Sequence, residues 1–332
     1  METRKVQVTG GSTYTVSLPK DWATENDVTA GSVVEFHDED ELLVLTPQAE
    51  DDHTEGTLDI TGLTDPDELT RAVMTMYVSG FDVINLETSR ITADQRRTIR
   101  EATQRLVGLE VIEETSERVV LQDLLDSAEL SVSNAITRMR LVSLTMLEDA
   151  VEALVEDDDE LAQDVIERDD DVDRLWYMVS RVFRTILRNP SEAAEIGFPR
   201  DTCFDFQSGA RQLERIADHA TKIAELALEV GAIPDSAAGP IRELHAEASA
   251  VPDTAMDALL TDDAEAATEL ATEARQGIQD VDETVREVDQ QLYEFDAQTV
   301  QVLGLVVDSL SRTADYGGNI AESALQKAAP RP

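Results

Sequence analysis

The feature that most constrains this chain is an internal repeat. From about Leu124 to the end every segment carries apolar residues at a 3.6-residue period, the mark of amphipathic helices. Aligning EDAVEALVEDDDELA (148–162) with DTAMDALLTDDAEAA (253–267) keeps seven of thirteen residues over 150–162. Aligning LERIADHATKIAELA (213–227) with LSRTADYGGNIAESA (310–324) keeps eight of fifteen. The offset falls from 105 to 97 between these blocks, so the second copy lacks most of the proline-broken connector RNPSEAAEIGFP at 188–199. Two copies of a three-helix unit, each about 100 residues, account for the pattern.

The first 47 residues behave differently. Short alternating runs such as KVQV, TYTVSLP, AGSVVEF and LLVLTP read as strands, with one helical turn near Asp21–Glu25. An acidic linker, QAEDDHTEG, follows. Residues 57–122 then read as strand, helix (Asp65–Ser79), strand, helix (Thr92–Val107) and two closing strands, a small layer whose helices must cover one face of its sheet. The expected class is α+β, mainly α. Its expected parts are a β module at 1–48, the layer at 55–122, and three-helix repeats at 124–232 and 238–328. The layer shows no Gly-rich phosphate loop, Cys/His cluster or nucleophile motif, and reads as a spacer or sensor module.

Charge narrows the setting. Seventy acids against 27 bases, only four of them lysine, give a net charge of −43. Acids spread over the whole chain point to a protein adapted to a salt-loaded, halophile-type cytoplasm. Cys203 is the only cysteine, so no disulfide framework exists. No apolar run approaches the ~18–20 residues of a membrane span, and no signal-peptide core follows Met1. A soluble cytoplasmic protein is expected.

The stretch RQLERIADHATKIAE (211–225) sets Glu214 and Asp218 one turn apart on one helix flank, beside the apolar arc of Leu213, Ile216, Ala217, Ala220, Ile223, Ala224 and Ala227. Like charges at that spacing repel by about 0.2–0.5 kcal/mol. Salt, a neighbouring base such as Lys222, or a bound cation could offset the cost. The preceding helix repeats the arrangement with Asp169 and Asp173. Two such helices side by side offer four oxygen ligands, a set suited to iron, manganese or magnesium. In the second copy Asp308, Ser311, Asp315 and Glu322 occupy the corresponding flank.

LERIADHATKIAE resembles the signature of the PhoU family of phosphate-uptake regulators, whose usual form is near LERIGDHAxNIAE, and DDDVDRLW resembles that family's other acidic segment. The resemblance spans roughly residues 124–328. It implies paired three-helix bundles carrying surface metal clusters on Glu/Asp-x-x-x-Asp motifs, and a role in restraining phosphate import through the phosphate-specific ABC transporter. Carried over by position, it implies metal ligation by Asp169, Asp173, Glu214 and Asp218 in copy one. In copy two Asp315 and Asp282 map, with Asp308 and Glu322 as substitutes. The implied cofactor is a metal ion, iron first, with manganese, zinc and magnesium as alternatives.

KVQVTGGSTYTVSLPKDWA, followed by VTAGSVVEF and ELLVL, resembles the AbrB/SpoVT/MazE swapped-hairpin DNA-binding domain. That resemblance implies an obligate homodimer, with Trp22 and Val28 in the core and Gly31 at a turn. It also implies DNA contacts from Arg4, Lys5 and Lys20. Residues 1–20 carry these three bases against the single acid Glu2, a local exception in so acidic a chain.

The first functional expectation is a non-enzymatic regulator of phosphate uptake and homeostasis that binds promoters of phosphate genes. The alternative is a dimeric adaptor that docks on the transporter's ATPase subunit and does not bind DNA. A carboxylate-bridged metal enzyme is a third reading. It is disfavoured because such sites pair Glu with Glu-x-x-His inside a bundle, whereas His219 directly follows Asp218 and points about 100° away; it is expected at a surface or interface.

Overall fold

The computed structural model describes residues 3–39, 42–47, 54–125, 131–189, 196 and 198–330. The acidic linker lies largely outside them, as does most of the 188–199 connector. The chain divides into two compact units, residues 1–53 and 54–332.

In the first unit β1 (Gln7–Thr9) pairs antiparallel with β2 (Thr13–Thr15), Val8 opposite Tyr14. Gly10 and Gly11 take the positive φ that this short turn needs. After α1 (Lys20–Glu25), β3 (Val34–Glu39) pairs with β4 (Leu42–Pro47), and Gly31 turns at φ +98° between α1 and β3. None of the unit's described residues is buried; Trp22 and Val28, the expected core, are only half-buried.

The second unit opens with a four-stranded sheet in the order β5-β6-β8-β7. β5 (Glu55–Asp59) runs parallel to β6 (Val83–Glu87), while β8 (Arg118–Asp123) lies antiparallel to both β6 and β7 (Leu109–Glu114). The crossover helix α2 (Pro66–Val78) starts at Asp65, whose carboxylate accepts from the Asp67 and Glu68 amides. Helix α3 (Ala93–Gln104) starts with a Thr92/Gln95 capping box. Leu69, Val73 and Tyr77 of α2 and Ile99 of α3 share one core with Ile84, Leu86 and Leu121 of the sheet. This is the layer expected from the sequence, element for element.

The remainder is helical: α4 (Val132–Glu156), α5 (Asp159–Arg188), α6 (Arg200–Val230), α7 (Asp235–Leu260), α8 (Ala264–Leu292) and α9 (Ala297–Ala328). One continuous apolar core runs through both three-helix copies. Equivalent helices of the two copies meet: α6 packs on α9 and α4 on α7. At the first contact His219 and Tyr316, which the repeat alignment makes equivalent, face each other with Nε2 and Oη 3.3 Å apart. At the second, Arg140 reaches Asp253 and Asp257 at 2.6 Å each, while Arg242 reaches Glu152 and Glu156. Gly317 lets α9 approach α7 closely, since a Cβ there would lie 2.6 Å from the Pro252 nitrogen.

The α/β layer belongs to the same unit as the bundle; alongside Arg188, which donates to the Ser79 carbonyl, Arg181 of α5 fastens it. Its guanidinium is buried, donates to the Tyr77 and Phe81 carbonyls at 2.8 and 2.9 Å, and pairs with Asp82 at 2.7 Å and Asp123 at 2.9 Å.

Candidate functional site

The apolar arcs fix which side chains line the α5–α6 seam. Leu213, Ile216, Ala217, Ala220, Ile223 and Ala224 are fully buried on α6, as are Val165 and Val172 on α5. The acids one residue off those arcs are thereby carried to the rim of the seam. Asp169 and Asp173 come from α5 and are half-buried, Glu214 is buried at 8 % exposure, and Asp218 sits at the exposed edge.

These four carboxylates act on one another. Burial pushes Glu214 up from 4.5 to about 7, and Asp218 and Asp173 add to the shift against the pull of Arg211. Asp173 is driven up to about 6 by burial, then by Asp169, Asp218 and Asp170. Asp169 rises through burial and through Asp218. Asp218 rises through burial, opposed by Arg211 and Arg215. Partial desolvation is the shared cause, and like charge adds to it for Asp169, Asp173 and Glu214.

The bases that temper the group are therefore Arg211 and Arg215. Lys222, named above as one candidate, acts on His219 instead. Arg211 donates from Nη1 to Glu214 Oε1 at 2.5 Å and stacks 5.2 Å above the Trp176 ring. The other oxygen, Glu214 Oε2, is buried with no hydrogen-bond partner. The Tyr177 hydroxyl, 3.5 Å from Asp173 Oδ2, completes the wall. Among the described residues, no three His, Cys, Asp or Glu side chains converge, as they stand, closely enough to hold a metal ion.

Copy two is built differently. Arg312 lies between Asp308 and Asp315, at 4.0 and 3.4 Å. Asp282, Asp308, Asp315 and Glu322 are all exposed. The second acid row expected from the sequence is thus a solvated flank neutralised by an arginine, because Ser311 replaces the buried glutamate around which the first row is organised. His219 lies at the α6–α9 interface, as expected, and not on the acid flank. Arg4 and Lys5, just before β1, and Lys20, the first residue of α1, are exposed.

Residues 136–227, which contain all four acids of copy one, match the PhoU domain. Over that stretch the chain is similar to PhoU domains. Two bacterial proteins are similar over part of the chain: the phosphate-specific transport system accessory protein PhoU homologs of Pseudomonas aeruginosa and Pseudomonas putida. They are 26% and 27% identical over 179 residues, which is 52% of this chain and 72% and 68% of theirs. The crystal structure of PhoU from Pseudomonas aeruginosa superposes with a TM-score of 0.50 at 25% identity, covering 59% of this chain and 94% of that one. At the other end, residues 7–52 match the MazE antitoxin family, described as antidote-toxin recognition. The PhoU-like region thus follows a MazE-like β segment, with the α/β layer between them in sequence. No helix among the described residues is long and apolar enough to cross a membrane.

Proposed function

We propose that this protein regulates phosphate uptake as a dimer, with a metal cation held by Asp169, Asp173, Glu214 and Asp218. The observation that carries the metal reading is Glu214: a buried carboxylate with one oxygen unpartnered, beside three more acids that its arginine does not neutralise. All-oxygen carboxylate donors suit iron(III), manganese or magnesium better than softer ions. When bound, the cation supplies positive charge to a desolvated anionic group. In this chain Asp169, Asp173 and Asp218 would turn inward and Glu214 Oε2 would gain its missing partner. Copy two, with Arg312 already in place, does not fit a metal.

The dimer reading rests on exposure in the first unit. Val8, Tyr14, Phe36, Leu42 and Leu43 are each more than half exposed, between 58% and 76%. Isolated two-stranded hairpins of this kind are marginal in water, and a second copy would cover these side chains. Arg4, Lys5 and Lys20 are the bases such a dimer would present to DNA phosphates. The PhoU relatives' role in phosphate transport supplies the signal to which the module would respond.

The competing adaptor reading keeps the dimer and drops the DNA. Pull-down with promoter fragments of phosphate genes at molar KCl separates the two. Sequence-specific capture that is lost in a Lys5→Ala/Lys20→Ala variant supports the regulator. No capture, together with phosphate-dependent co-purification of the transporter's ATPase subunit, supports the adaptor.

A further inference from the structure

Two hydrogen-bond donors tie the acids of α5 to the α/β layer. Asp173, Tyr177 and Arg181 follow one another at four-residue steps on α5 and so share one face of it. Tyr177 packs against the core of the layer, and its hydroxyl lies 3.5 Å from Asp173 Oδ2. Burial, then the charges of Asp173 and Glu214, push that hydroxyl up to about 12, so it keeps its hydrogen and donates it to the acid. The second tie is Arg105, the C-cap of α3, which reaches Asp170 at 3.2 Å. Asp170 follows Asp169 in sequence and adds like charge to both Asp169 and Asp173.

A cation drawn to Asp169 and Asp173 competes with both donors. To bind it, Asp173 must turn away from a hydroxyl whose ring the layer holds in place, leaving the half-buried Tyr177 donor unmet. The added positive charge also offsets the field that draws Arg105 to this end of α5. Both effects weaken the hold of the layer on the helix. Arg181, bonded to Tyr77, Phe81, Asp82 and Asp123, remains as the anchor. Coupling between two such events is reciprocal, so a firmly seated layer lowers the affinity for the cation.

We propose that the α/β layer reads the state of the α5–α6 acids: cation binding there loosens the layer through Tyr177 and Arg105, and the seated layer opposes the cation. This rests on the cation reading above. It makes Tyr177 a positioning residue, acting on the cation through Asp173.

The test is calorimetric titration of the full chain with Mn2+ in molar KCl, with amide hydrogen exchange followed in the layer. Bound Mn2+ should speed exchange in α2 and α3 of the wild type, and should not do so in Glu214→Ala/Asp218→Ala. Tyr177→Phe, which keeps the ring and removes the hydroxyl, should bind Mn2+ about threefold or more tightly. Arg105→Gln should tighten binding by a smaller factor, because its ion pair is about half exposed. A merely structural role for either residue would leave affinity unchanged or lower it. The proposal is overturned if bound Mn2+ leaves exchange in the layer unchanged or slows it, or if neither variant binds more tightly than wild type. Absence of saturable Mn2+ binding by the wild type would overturn the cation reading and this proposal with it, a result distinct from binding that leaves the layer unaffected.

Discussion

Glu214 is held in a state that its side chain resists. A carboxyl raised from 4.5 to about 7 binds its proton more tightly in the folded protein than in the unfolded one. The stability tied to that proton is fully present below about pH 4.5 and is lost as pH rises to about 7. Asp173, raised to about 6, acts in the same direction over a lower window. Metal-free protein should therefore melt at lower temperature at pH 8 than at pH 5. Glu214→Gln should flatten much of that slope and melt about 2 °C or more above wild type at pH 8. An identical pH profile in the two proteins would show that Glu214 is solvated. Spacing showed that Glu214 and Asp218 share a flank, but it could not show that Glu214 is buried. That depends on how far Trp176 and Arg211 close over the seam, and an arginine three residues before a glutamate reads in sequence as an ordinary surface pair.

At the scale of elements, the most deeply buried polar tie between the α/β layer and the bundle is one side chain. Arg181 satisfies two carbonyls and two carboxylates in a place nearly closed to water. Burial first, and Asp82 after it, push the Asp123 carboxyl up, and Arg181 is the main opposing influence. Removing the arginine leaves Asp123 buried beside Asp82 with no counter-charge. Arg181→Leu should cost about 3–5 kcal/mol, read as a lowered denaturation midpoint and an earlier melting phase for residues 55–122 in hydrogen exchange. A loss below about 1 kcal/mol would mean the layer is held by its apolar contacts. Helices and strands of this layer were legible because their caps and turns are local: Asp65, Thr92 and Gly80 each announce an element boundary. Its attachment was not legible. Arg181 lies in the helical run VSRVFRTIL as one of several arginines, and its partners are about 60 and 100 residues away in sequence.

For the whole molecule, the repeat made the bundle readable. The duplicated blocks identify which helices are equivalent, and the structure packs those helices against each other, α6 on α9 and α4 on α7. The decay of the second acid row was also visible as Ser311 in place of Glu214; Arg312 turning to Asp308 and Asp315 was not, because it depends on rotamer and exposure. In the first unit the strands were legible and the resemblance already implied that one chain does not bury them alone, whereas Trp22 and Val28, expected in the core, are only half-buried in the single chain. Sedimentation in molar KCl should give twice the chain mass. Phe36→Ser/Leu43→Ser should return it to a single chain, and lowering the salt should destabilise both forms through self-repulsion of the 43 surplus charges. A wild-type chain that sediments as a monomer would remove the dimeric reading.

The claim at the centre of this account is that the α5–α6 acids hold a cation, and metal content measures it most directly. The full chain, purified without chelator and dialysed against metal-free molar KCl, should retain about one or more equivalents of iron or manganese by elemental analysis. Glu214→Ala/Asp218→Ala should retain little, while Asp308→Ala/Asp315→Ala retains as much as wild type. Equal metal in wild type and the Glu214/Asp218 double variant, or none in either after loading with iron or manganese, would contradict it.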